Sequence, residues 1–294
     1  MLSASELLPT LMGDYWFHSR AHIPSAALVR LLGEFGVGAD ATRAALSRLT
    51  RRGRLEGVRD GRRTAYRLAP DLVDAATVQG RRLMRFGAEP VGWDGIWTCV
   101  AFSVPEADAH LRPPLRKRLR ALGLGARFDG LWITPHAPLD ALDRSLAELG
   151  ITDVTVLRAT EVPRAAAGPA SGALVEAWDL PALRQRYDEV VTLADRIVDD
   201  LAGGDVGPTE ALVARTELMR RWRSIAVADP RLPDELLPDD WPCRPARARF
   251  EAAYDALGPP AELRVRELVG VDADAPDGPR HHRVRDITGA VPPS

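Results

Sequence analysis

The stretch that most restricts the fold runs from Asp40 to Leu68, DATRAALSRLTRRGRLEGVRDGRRTAYRL. Wound as a helix at about 100° per residue, Asp40–Arg52 separates into two arcs. Thr42, Ala45, Leu46 and Leu49 share a narrow arc, small and apolar enough to press against neighbouring helices. Arg43, Ala44, Ser47, Arg48 and Arg51 share the opposite arc. That outer face mixes charge, a hydroxyl and a methyl, the chemistry that meets phosphates and base edges in a major groove. Asp40 stands where a cap would open the helix, and Gly53 where a helix stops. Arg54–Arg59 and Arg62–Leu68 then flank Asp60-Gly61, a two-residue hairpin signal. Arg59, Arg62 and Arg63 fall at its tip, positioned for phosphates or an adjacent minor groove.

Upstream, residues 5–17 and 24–35 read as helices. In the second, Ala27, Leu28, Leu31, Leu32 and Phe35 repeat at helical spacing behind Pro24, which suits a first turn. Helix, helix, basic helix and hairpin is the order of a winged helix-turn-helix. A connecting helix, Pro70–Phe86, carries Arg81, Arg82 and Arg85 and completes a first domain over residues 1–88. Charge follows the same division. The first 70 residues hold 11 arginines against six acids, while the rest of the chain holds 28 basic and 35 acidic residues. A basic module on an acidic body points to a localised polyanion-binding face.

From residue 89 to 165 the pattern alternates. Ile96–Phe102 is a short apolar run expected as a strand covered on both faces. Arg112–Leu122 follows as an Arg-rich helix with Leu115, Leu119 and Leu122 on one side. Ala126–Phe128 and Leu131–Thr134 flank a second Asp-Gly, Leu139–Leu149 is helical, and Asp153–Ala159 is a last strand. The order β-α-β-β-α-β is ferredoxin-like. Arg164–Ala173 reads as a linker, and residues 173–260 as a helical domain behind a capping Asp179. Residues 261–294 read as an extended tail. The expected class is α+β.

No catalytic motif emerges. Gly123-Leu124-Gly125 lacks the third glycine and the Lys-Ser/Thr pair of a phosphate loop, and neither G-x-S-x-G nor H-E-x-x-H occurs. Cys99 and Cys243 are too far apart to announce a disulfide framework or a metal site. His281-His282 reads as a solvated pair without ligand partners at metal spacing. Six tryptophans (Trp93, Trp97, Trp132, Trp178, Trp222 and Trp241) lie outside the basic module and are expected mostly in cores. Arg220, Arg221, Trp222 and Arg223 form one candidate for a phosphate-bearing aromatic ligand. Arg231 and Trp241, flanking a proline-rich loop, form another. No apolar run approaches the roughly 18 residues of a membrane span, and the amino terminus lacks the pattern of a secretory signal. A cytoplasmic protein without cofactor or metal is expected.

Several stretches resemble the PaaX family of bacterial repressors of phenylacetate catabolism. They are LLPTLMGDYW, FGVGADATRAALSRLTRRGRLE, GRRTAYRL, WDGIWTCVAF, LGLGARFDGLWITPH, WDLPALRQRY and, most specific, DPRLPDELLPDDWP. The resemblance implies a winged helix, a central ferredoxin-like domain similar to small CRISPR-adaptation nucleases, and a helical carboxy-terminal domain. It also implies a homodimer on a roughly palindromic double-stranded operator, released by a coenzyme A thioester such as phenylacetyl-CoA. On this chain it assigns DNA contacts to Thr42, Arg43, Ser47 and Arg48 and to Gly61-Arg62-Arg63. The rival expectation is a nuclease or RNA-binding accessory protein built on the central domain. Against it, the first central strand ends Phe102-Ser103, where those nucleases place a carboxylate.

Overall fold

The computed structural model describes residues 3–16, 19, 21–61, 63–162, 174–272, 275 and 277–288. It mixes helices with two antiparallel sheets. The chain divides into two compact units, one gathering Met1–Phe86, Glu189–Arg223 and Pro245–Ser294, the other Gly87–Asp188 and Ser224–Arg244. The expected linear succession of domains is therefore interleaved, because the carboxy-terminal helices contribute to both units. The proposed linker, residues 164–173, lies outside the described residues.

The first unit opens with α1 (Ala4–Trp16), β1 (Ile23–Pro24), α2 (Ser25–Gly33), α3 (Ala39–Arg51), β2 (Leu55–Asp60), β3 (Arg63–Leu68) and α4 (Pro70–Arg85). Leu7, Leu8 and Leu11 of α1, Leu28, Leu31 and Leu32 of α2 and Leu46 of α3 are all buried to within 1%. The three strands pair antiparallel in the order β1-β3-β2. Two details differ from the sequence expectation. Gly38 is the N-cap residue of α3, and Asp40 lies inside the first turn, paired with Arg43 at 2.9 Å. In the hairpin, Asp60 pairs with Arg63, so the first strand ends one residue later and the second begins one residue later than expected, and Gly61, at φ 57°, opens the loop. A positive φ there is what a tight hairpin with right-handed twist requires.

The carboxy-terminal part of this unit corrects the expected tail. The chain continues through α7 (Leu180–Gly203), α8 (Pro208–Ala228), α9 (Cys243–Ala256), α10 (Gly258–Val269) and α11 (Val284–Thr288), numbered after the central helices α5 and α6 described below. α10 is fastened to α2: the Arg264 guanidinium donates to both carboxylate oxygens of Glu34, at 2.8 and 3.2 Å, and Arg30 donates to the Leu268 carbonyl. Residues 280–282 pack on the end of α1, and α11 packs on α4. The Arg280 amide donates to the Tyr15 carbonyl at 2.9 Å, and buried Arg215 donates to the His282 carbonyl at 2.8 Å. The Arg215 guanidinium lies 3.8 Å from the Tyr254 ring centroid and 5.4 Å from that of Tyr15.

His282, expected in solvent, is 4% exposed. Its Nδ1 faces the Asp14 carbonyl, which can only accept, so Nδ1 carries the proton and Nε2 accepts from the Tyr254 hydroxyl. Burial, helped by the Arg215 charge, pushes its pKa down to about 3. His281 instead donates from its ring to Glu262 at 2.5 Å.

The second unit contains β4 (Trp97–Phe102), a 3₁₀ turn at Glu106–Leu111, α5 (Arg112–Ala121), β5 (Gly125–Phe128), β6 (Leu131–Thr134), α6 (Leu139–Leu149) and β7 (Val154–Ala159). The sheet order is β5-β6-β4-β7, with every neighbouring pair antiparallel. One sheet face packs Val100 and Trp132 on Leu115 and Leu119 of α5 and Leu142 and Leu146 of α6. The other packs Trp97 and Ile133 on Leu232 and Leu236, so the apolar run at β4 is covered on both sides. Gly125 is needed there: a Cβ would come within 2.8 Å of the Trp178 ring. Asp179 caps α7, its Oδ1 accepting from the Ala182 amide at 3.0 Å.

Candidate nucleic-acid interface

Helix α3 has the two faces its spacing demands. Thr42 and Ala45 are fully buried, Leu46 and Leu49 nearly so, and the helix packs on α1, α2 and β2. Arg43, Ala44, Ser47, Arg48 and Arg51 are all exposed. Thr42 is the exception to the assigned contacts. Its side chain is inside and its hydroxyl donates to the Gly38 carbonyl at 3.1 Å, so it secures the start of α3 and cannot reach a base. The helix stops at Gly53, φ 65°, where the Arg54 amide returns to the Leu49 carbonyl and satisfies the last turn.

The outer cations are held loosely. Arg43 pairs with a fully exposed Asp40, a contact worth at most about 1 kcal/mol and easily exchanged for a phosphate. Arg48 donates to the Ser5 hydroxyl of α1 at 3.3 Å. Arg52 and Arg54, which the helical arcs do not single out, are also exposed and extend the cationic edge from α3 into the hairpin. The run RRGR is their signal in the sequence. At the hairpin tip Arg59 donates to the Gly61 carbonyl at 3.2 Å, and Arg63 is exposed. Arg62 lies outside the described residues. Further back, Glu56 and Arg67 pair across the two strands at 2.7 Å, which fixes register and leaves positive charge to the tip.

The arginines of α5 are differently placed. Arg112 pairs with Glu106, Arg116 with Asp129 and Arg118 with Glu148, while Arg120 lies over the Trp132 ring. Their charge is spent inside the unit. Among the described residues no group of three or more His, Cys, Asp or Glu could hold a metal ion, and no helix is long and apolar enough to cross a membrane.

The two candidate ligand elements do not fare alike. Trp222 is fully buried, stacked on Phe250 at 4.7 Å and edge-on to Phe86, with its indole N–H donating to the Leu83 carbonyl. It is core and offers no face to a ligand. Arg220 and Arg221 both donate to Glu217, whose carboxyl is held below its usual range chiefly by the Arg220 hydrogen bond, and Arg223 donates to Thr10. Within this stretch the tryptophan belongs to the core and two of the three arginines share one carboxylate. The second element keeps its chemistry in reach. Trp241 is half-buried, its ring edge-on to Tyr187 and covered by the Arg184 guanidinium at 5.4 Å. Arg231 is exposed and has a φ of 56°, the left-handed region, the one non-glycine residue so placed among those described. A side chain there costs about 1–2 kcal/mol.

Three family profiles match in chain order: PaaX-like protein over residues 3–72, PaaX protein central Cas2-like domain over residues 90–170, and PaaX-like protein C-terminal domain over residues 178–267. Transcriptional repressor PaaX of Escherichia coli (strain K12) is 29% identical over 275 residues, which cover 90% of this chain and 84% of that protein. Among solved structures, Uncharacterized protein Rv0674 from Mycobacterium tuberculosis is similar at a TM-score of 0.53 and 25% identity, over 92% of this chain and 99% of that one. With all three profiles present in order along one chain, this protein belongs to the PaaX family.

Proposed function

We propose that this chain is a DNA-binding transcriptional repressor of a phenylacetate-type catabolic operon. The observation that carries the proposal is α3, with four buried anchors on one face and Arg43, Ser47, Arg48 and Arg51 exposed on the other. The similarity to the Escherichia coli repressor supports it. Helices α1–α3 with the sheet β1-β3-β2 fit a winged helix-turn-helix in which α3 enters the major groove and the hairpin reaches the flanking backbone. The order β5-β6-β4-β7, with α5 and α6 on one face, fits a ferredoxin-like domain.

A homodimer would set two α3 helices in successive major grooves of a roughly palindromic operator, about 34–36 Å apart. An aryl-acetyl-coenzyme A thioester would release it by binding one dimer arrangement better than the other. No cofactor and no catalytic step enter this function, and a cytoplasmic location follows from it. Fluorescence anisotropy tests it, with promoter fragments from beside this gene against random DNA of equal length. Saturable binding with at least 10³-fold preference at physiological salt is expected. Equal affinity for random DNA would reject a specific repressor.

A further inference from the structure

Helix α4 has two faces as distinct as those of α3. It packs on α11 within its unit and turns Met84 inward, with Leu72, Val73, Thr77 and Leu83 half-buried on the same side. Asp71, Ala75, Val78, Arg82 and Arg85 fall on the other side, and all five are exposed, Val78 at 52%. Their spacing alternates between four and three residues. That is the 3.5-residue period of a helix that lies lengthwise on another helix.

The charges on this stripe are sorted along it. Asp71 stands in the first turn, Arg82 and Arg85 in the last, which suits the dipole of the helix itself. None of the three forms an ion pair among the described residues. Arg85 donates to the Thr288 carbonyl, a neutral acceptor, at 3.2 Å. Arginines of other helices are used differently: Arg112, Arg118, Arg184 and Arg249 each pair with a carboxylate.

A second copy of the stripe, laid antiparallel, supplies the missing partners. Asp71 and Arg85 lie seven residues either side of Val78, and Ala75 and Arg82 lie three and four. A two-fold axis beside Val78 therefore sets Val78 against its own copy, Asp71 against Arg85 and Ala75 against Arg82, and repeats each pair at the other end. The small Ala75 leaves room for the aliphatic stem of Arg82 to lie across it. A parallel copy would instead oppose acid to acid and arginine to arginine, so the charges also select the direction.

We propose that the outer stripe of α4 is a self-association surface, through which two copies of this chain pair their α4 helices antiparallel about an axis at Val78. The proposal supplies the contact for the homodimer in the function above and rests on that reading for the expectation of a dimer. Because α4 begins two residues after β3 ends, such an axis relates two hairpins and two α3 helices through a short, rigid connection. The stripe is roughly 21 Å long at about 1.5 Å per residue. That is the small end of specific interfaces, so the free chain should pair in the micromolar range.

Sedimentation velocity of the full chain across micromolar concentrations tests it, beside Val78→Arg, Asp71→Arg, Arg85→Asp and the double variant Asp71→Arg/Arg85→Asp. All three positions are exposed, so the variants should melt like the parent. Val78→Arg sets two guanidinium groups against each other at the axis and should weaken dimerisation at least about ten-fold. Each single reversal should weaken it too. The double reversal recreates the pair in the opposite sense and should recover most of that loss, which a merely solvated face would not do. Val78→Cys gives a second reading: under mild oxidation the introduced thiols should link two copies, whereas Leu263→Cys, exposed on α10, should not. A parent dimer that Val78→Arg leaves intact, or a double reversal no better than the single ones, overturns the proposal while the homodimer stands on another contact. A parent that stays monomeric throughout overturns the proposal together with the free homodimer. The operator titration judges the repressor function separately.

Discussion

Exchanging one residue on each face of α3 separates reading from folding. Arg48 is exposed, and its one hydrogen-bond partner among the described residues is the Ser5 hydroxyl at 3.3 Å. Arg48→Ala should therefore change stability by no more than about 0.5 kcal/mol. Loss of a good bidentate base contact costs about 1–3 kcal/mol per half-site, which is roughly 5- to 150-fold in Kd. On a two-fold operator both half-sites lose it. Leu49, one position along, is 4% exposed against α1 and α2, so Leu49→Ala should cost about 2–5 kcal/mol of stability. Any loss of operator binding by that variant should track its unfolded fraction. Anisotropy titration at fixed salt gives the first quantity and urea unfolding the second. If Arg48→Ala unfolds earlier while binding operator normally, or Leu49→Ala is neutral to urea, the two faces have been assigned the wrong way round.

Three further outcomes follow from the structure. Arg63→Ala, at the exposed hairpin tip, should flatten log affinity against log salt by about 0.9 per phosphate contact, nearly twice that in a symmetric dimer. An unchanged slope would remove Arg63 from the interface. Trp222→Ala should destabilise by about 3–5 kcal/mol because the ring is wholly inside; a variant of normal stability with altered ligand response would contradict its core role. Below pH 6.5 the unfolded chain protonates His282, whereas the folded chain refuses the proton until about 3. The stability this residue contributes is thus full above 6.5 and falls by about 1.4 kcal/mol per pH unit below it. His282→Gln removes that slope, so parent and variant should differ by about 2 kcal/mol in how much stability they lose between pH 6.5 and 5.0 in urea titrations. Asp14, whose carboxyl burial raises above its usual range, is common to both and cancels in the comparison. Parallel pH profiles would mean that His282 is solvated.

The candidate interface was legible because it is local. The arcs of α3, the stop at Gly53 and the hairpin after it depend on spacing within 29 residues, and the alternation around β4–β7 is equally short-ranged. Where a residue was misplaced, either the local arc had been overridden or a longer-range contact decided. Thr42 lies on the inner arc by periodicity, while family resemblance assigned it to DNA; its burial and its bond to Gly38 favour the arc. The Arg-flanked Trp222 looks the same in sequence whether it faces a ligand or a core. Phe86 and Phe250, distant along the chain, choose the core.

By itself the sequence determined the elements with a period or a punctuation mark: the amphipathic helices, the Asp-Gly hairpins, the capping Asp179 and the concentration of arginine before residue 70. Their cause is nearest-neighbour geometry, which any window of the chain contains. Only the tertiary structure decided that β1, two residues long and without a period, is a strand, since Tyr66 and Ala65 supply its partners. It also replaced the expected tail, among the described residues, by the end of α10, by α11 and by a segment at His282 bound through Arg215, Tyr254 and Asp14. Those bonds join residues 67 or 268 positions apart, and no local pattern records them. The strain at Arg231 is of the same kind: an arginine enters the left-handed region only because Asp229, Pro230 and Leu232 are each held by a different part of the fold.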